Sequence, residues 1–136
     1  MYFPHSLTSH SISVFHYSAP SASPTSVNIS DVTFSSITVQ WGPVNCIQRN
    51  GDITGYSVRY RVQGDGSTET VSVSGGDTIE TIISGLHSST TYAIEVAAVN
   101  SAGIGVYSNP VNQLTQGMHV IIIIIVVTNF NSHFVV

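Results

Sequence analysis

Six histidines, seven carboxylates, three arginines and one cysteine are the side chains of this 136-residue chain that could move a proton, hold a metal or attack carbon. A serine hydrolase would need a Gly-x-Ser-x-Gly elbow, a zinc peptidase an HExxH pair, and phosphate handling a glycine-rich loop closed by Gly-Lys. None of these spacings occurs. His5, His10 and His16 recur too loosely to ligate a metal, and His87 falls in a corner loop expected to face solvent. Acid–base catalysis needs carboxylates gathered where burial or a neighbour tunes them, but here they are scattered over turn-like segments. No catalytic residue, metal or cofactor is expected. Cys46 stands alone and reads as a partly buried free thiol, with a bond to another chain as the alternative. Arg49, Arg59 and Arg61 cannot form a basic stripe in a chain of net charge −4 without lysine, which excludes a nucleic-acid partner.

The elements that must position these residues are short strands. Every formal charge lies between Asp31 and Glu95, so composition divides the chain into an irregular front flank (1–18), a middle domain (19–116) and an apolar tail (117–136). Ile37, Val39 and Trp41 alternate with Thr38 and Gln40. Tyr56, Val58, Tyr60 and Val62 alternate with Ser57, Arg59 and Arg61, and Tyr92, Ile94, Val96 and Ala98 with Ala93, Glu95, Ala97 and Val99. A period of two places one face in a core and leaves the other wet. Val27–Phe34 begins the series, Val71 with Val73 and Ile79 with Thr81 and Ile83 give shorter strands, and Val106–Leu114 ends it. Asn50-Gly51-Asp52, Gly64-Asp65-Gly66, Gly75-Gly76-Asp77 and Ser101 to Gly105 supply the corners. Seven short strands without a helical period predict an all-β, seven-stranded immunoglobulin-like sandwich, its large core residues being Trp41, Tyr56, Tyr60 and Leu86.

The tail carries Val120–Val127, eight branched apolar residues in a row. A spanning helix needs about 20 mostly apolar residues, and extension to Val136 takes in Asn129, Asn131, Ser132 and His133 with no basic stop. It is a poor transmembrane candidate, although membrane association through 118–136 stays open. No charge followed by an apolar stretch marks a signal peptide at the front. In water, the isoleucine run would promote aggregation through its β propensity and lack of charge. Deleting 118–136 should therefore raise solubility, measured by sedimentation after concentration; unchanged aggregation would refute this.

At the level of motifs, the middle of the chain resembles a fibronectin type III domain from about Ala19 to Thr115. The residues carrying the resemblance are Pro20 and Pro24 before the first strand, Ser36 to Trp41 followed by Pro43, Asn50-Gly51-Asp52-Ile53-Thr54-Gly55-Tyr56, and a block from Gly85-Leu86 through Tyr92, Val96, Asn100, Gly103, Gly105 and Ser108. The resemblance implies that Tyr92 is a tyrosine corner, its ring in the core with Val96 and its hydroxyl tied to backbone near Leu86. Ser88 stands where the family usually has proline, which loosens that turn.

The resemblance also implies a non-catalytic interaction or adhesion module of a cell-surface or extracellular protein, or alternatively a mechanical spacer in a tandem array. Two contact surfaces follow: a loop end with Asn45, Arg49, Asn50, Asp52, Asn100 and Ile104, and an open sheet face with Arg59, Arg61, Glu95 and Ala97. An integrin-type Arg-Gly-Asp is absent, because Asn50 separates Arg49 from Gly51. Asn28-Ile29-Ser30 is an N-glycosylation triplet, usable in a secreted chain.

Overall fold

Ile37, Val39 and Trp41 all point into the core of the structure, a computed structural model that describes residues 17–118. The isoleucine run and most of both flanks lie outside the described residues, as do the expectations attached to them.

The elements in chain order are β1 (Thr25–Val32), β2 (Ser36–Gly42), a 3-10 turn (Cys46–Gln48), β3 (Ile53–Val62), β4 (Glu69–Ser74), β5 (Glu80–Ser84), β6 (Thr91–Asn100), β7 (Gly103–Ile104) and β8 (Val111–Leu114). They form two antiparallel sheets. One has the order β1-β2-β5; the other runs β4-β3-β6-β7, with β8 also pairing β6. The fold is an all-β two-sheet sandwich. Among the described residues no helix is long and apolar enough to cross a membrane.

The alternating side chains make the core. From the three-stranded sheet come Ile37, Val39, Trp41 and Ile83; from the five-stranded sheet come Tyr56, Val58, Tyr92, Ile94, Val96 and Ala98. Leu86, in the corner between β5 and β6, joins them at 8% exposed. Tyr60 is only half-buried against this cluster, and its hydroxyl reaches out to donate to Glu69 Oε2 at 2.7 Å. Burial first, then the Glu69 carboxylate, pushes the Tyr60 phenol up to about 12.

Two strand expectations differ from what is seen. The final strand is divided: Gly103–Ile104, expected as turn, pairs with the end of β6, while β8 pairs with its beginning and starts only at Val111. Between them the chain bends toward the N-terminal segment, where Val106 N–H donates to Pro20 O at 3.3 Å. Gly105 and Ser108 N–H still donate to Ala98 O and Val96 O of β6, both at 2.9 Å, while Pro110 has no N–H to give a ladder. Ile79 lies just before β5 and is 58% exposed, so it does not share the core-facing side with Ile83.

Candidate functional site

Three loops meet at one end of the sandwich, and buried side chains anchor each of them. The loop 43–52 follows β2. Within it the Asn45 side chain accepts from Ile47 N–H at 3.2 Å, and Arg49 Nε–H donates to Val44 O at 2.9 Å. These bonds set the 3-10 turn and hold Ile47 outward at 88% exposed. Asn50 occupies the left-handed region (φ 53°), tolerated better by asparagine than by most residues, and its side chain donates to Ala19 O at 2.9 Å.

Asn100 ties this loop to the next. It ends β6, is 5% exposed, and its Nδ2 faces three carbonyls: Ser18 at 2.8 Å, Arg49 at 3.1 Å and Asn50 at 3.3 Å. Its Oδ1 accepts from the N–H groups of Ala102 and Gly103 at 2.9 and 3.2 Å. Asn100 was expected to face a partner. It is instead buried and fully engaged with backbone, so it positions the pole without presenting itself.

The loop 75–78 is held from beneath by two core rings. Trp41 Nε1–H donates to Thr78 O at 3.0 Å and Tyr56 O–H to Gly76 O at 3.1 Å. The rings pack with centroids 5.0 Å apart. Gly76 is required here because a Cβ would collide with the Ile53 carbonyl. The polar atoms that buried Trp and Tyr must satisfy therefore also fix the height of this loop.

Around the anchors, Asn45 and Asp52 are exposed, Arg49 and Asn50 are half-buried, and Ile104 is 53% exposed. Cys46, expected to be partly buried, is exposed on the 3-10 turn. Asn28 is exposed on β1, and His87 is exposed in the corner loop. Sequence reasoning did not single out Ile47; a lone isoleucine in a polar loop carries no signal of its orientation.

The second expected surface, an open sheet face, is not open. Ala97 is 0% and Glu95 8% exposed. The segment after β7 brings Tyr107 across this face. Its hydroxyl lies 2.8 Å from Ser57 Oγ, and the Arg59 guanidinium sits over its ring at 3.9 Å, within cation–π range. Arg59 also grips Glu95 through Nε and Nη2, both at 2.9 Å, with Arg61 at 3.4 Å. Strand alternation separates two faces, but it cannot show that a later segment will cover the outer one.

The Arg59 hydrogen bonds hold the Glu95 carboxyl below its ordinary value, burial opposes this, and the charges of Arg59 and Arg61 add to the lowering. A carboxyl lowered in the folded state contributes stability above its unfolded pKa of about 4.5 and loses it as pH falls through the lower folded value. Urea midpoints should thus decline with acidification below about pH 4.5, and Glu95→Gln should flatten that decline. An unaltered acid limb in the variant would show that Glu95 does not drive it. Among the described residues no cluster of three His, Cys, Asp or Glu side chains could hold a metal.

The model of the fibronectin type III domain matches residues 22–114. The chain belongs to the fibronectin type III family. This fibronectin type III domain is 39% identical over 101 residues to mouse Protein sidekick-1, covering 73% of this chain and 5% of that protein. It is 36% identical over 86 residues to rat neogenin, covering 63% of this chain and 6% of the relative. Thus the chain spans about a twentieth of the length of these curated relatives. The solution structure of the fn3 domain of human contactin 1 superposes with a TM-score of 0.66 at 30% identity, over 75% of this chain and 83% of that one. The tyrosine-corner geometry agrees with this membership: Tyr92 is 4% exposed and its hydroxyl accepts from His87 N–H at 2.9 Å.

Proposed function

We propose that this fibronectin type III domain is a non-catalytic protein-recognition module of a cell-surface or extracellular adhesion protein, and that it contacts its partner through the loop pole. The observation that carries this reading is the fixed display of Ile47. An exposed aliphatic side chain is ordinary on a flexible loop. Here its turn is held by the Asn45 and Arg49 side chains and, through Asn100, by β6, so a partner would meet a surface ordered in advance and lose less entropy on binding. The flanking Asn45, Asp52 and Ile104 add polar and apolar contacts at the same end. The similarity to sidekick, neogenin and contactin, which are adhesion proteins, supports the same setting.

Screening the purified domain against an array of ectodomains tests this. Ile47→Asp and Asp52→Ala should weaken a hit at least tenfold with unchanged melting temperature, while Phe34→Ser at the other end should not. A hit insensitive to the first two would place recognition elsewhere. The alternative is a spacer, one link of a tandem array. The small share of each relative that the domain covers favours that reading, and the absence of any hit would select it.

A further inference from the structure

We infer that Asn28 is an N-glycan acceptor and that its glycan lies over the outer face of the three-stranded sheet, shielding Ile82. The inference rests on the extracellular part of the proposed function but not on the loop pole.

Three observations meet at this position. Asn28 alone among the asparagines of the chain has a hydroxyl residue two positions on, Ser30 after Ile29. Asn28 and Ser30 are both exposed, whereas Val27 and Ile29 between and before them turn toward the core. Asn28 thus points away from the sandwich and can carry a bulky substituent without disturbing packing. Third, the face from which it projects holds an unexplained apolar residue. Asn28 lies opposite Gln40, and Gln40 opposite Glu80, whose carboxylate accepts from Gln40 at 3.0 Å. In the next row Asp31 lies opposite Thr38, and Thr38 opposite Ile82, which is 63% exposed. Ile82 is two strands away from the Asn28 strand, about 10 Å across the sheet, near enough for the first sugars of a chain to lie over it.

The step is a transfer from a lipid-pyrophosphate-linked oligosaccharide. Asn28 Nδ2 forms a bond to the anomeric carbon of the first sugar, the bond from that carbon to the phosphate oxygen breaks, and the lipid pyrophosphate leaves. The amide proton passes to a base of the transferase.

The test translates the full chain behind a cleavable secretory leader in the presence of microsomes, alongside Asn28→Gln, Ser30→Ala and Asp65→Asn. The last completes an acceptor triplet with Gly66 and Ser67 in an exposed turn, and so reports that the chain has met the transferase. One glycosidase-sensitive mobility step is expected for the unaltered chain, none for Asn28→Gln or Ser30→Ala, and two for Asp65→Asn. A single step in Asp65→Asn with none in the unaltered chain would overturn the inference while leaving the recognition pole untouched. Removal of the leader with no step in either the unaltered chain or Asp65→Asn would show that the chain reaches the lumen without being modified, and the inference would fall. In a Cys46→Ser background, Ile82→Cys should react with a bulky maleimide several-fold faster after glycosidase treatment. Equal rates would remove the shielding.

Discussion

Tyr92→Ala is expected to destabilise the domain by roughly 3–5 kcal/mol, the range for deleting a large buried aromatic side chain. The ring is 4% exposed and meets Tyr60 edge-on with centroids 6.2 Å apart, a geometry that adds to simple burial. Its hydroxyl closes the corner by accepting from His87 N–H. Tyr92→Phe separates the two contributions: it keeps the ring, and because His87 is exposed water can replace the lost acceptor, so the change should be about 0.5–1.5 kcal/mol. Folded domains of this size are stable by about 5–15 kcal/mol, so the alanine variant would be marginal at 37 °C. Urea denaturation read by Trp41 fluorescence measures both. A loss under about 1 kcal/mol for Tyr92→Ala would mean that the corner is not a stability element.

Asn100→Ala is expected to cost about 2–3 kcal/mol, and Asn100→Asp more. Alanine strands the N–H groups of Ala102 and Gly103 and three backbone carbonyls at a site only 5% exposed. Each buried polar group left unpaired costs on the order of 1–3 kcal/mol, and water entering the opened pole offsets part of the total. Aspartate can still accept from Ala102 and Gly103, but it sets a carboxylate oxygen against the Ser18, Arg49 and Asn50 carbonyls. Burial and those dipoles would raise its folded pKa above the unfolded one, so the deficit of Asn100→Asp should shrink as pH is lowered through that value. Urea titrations at pH 7 and pH 5 check this. Asn100→Ala within about 0.5 kcal/mol of the parent would show that the pole does not depend on this amide, and an Asn100→Asp deficit independent of pH would show that a carboxyl there is not driven toward its neutral form. The same variant should weaken partner binding at the pole without touching Ile47, because the turn bearing Ile47 would lose its tie to β6.

Much of the sandwich was legible because its signals are local. In β2 the alternation of Ile37, Val39 and Trp41 with Thr38 and Gln40 matches the observed burial residue by residue. The corner from Leu86 to Tyr92 spans few residues, and the family resemblance they carry already implied its geometry. The division of the last strand was not legible, because it follows from the approach of Gly105 and Val106 to Pro20, far away along the chain. Nor was the cover over Glu95 and Ala97, since Tyr107 reaches Ser57 across 50 residues of sequence.

By itself, the sequence determined that this chain forms alternating strands around Trp41 and Tyr92, with motifs that resemble those of fibronectin type III domains. It did so because strand period, turn chemistry and corner spacing are properties of neighbouring residues. Only the tertiary structure decided which side chains of the loop pole are exposed. Asn100 is buried because carbonyls as distant as Ser18, 82 residues away, converge on its amide, and Ile47 is displayed because that convergence holds its turn. Hydrogen bonds between remote backbone groups leave no periodic trace in a sequence, so exposure at the pole appears only once the chain has closed.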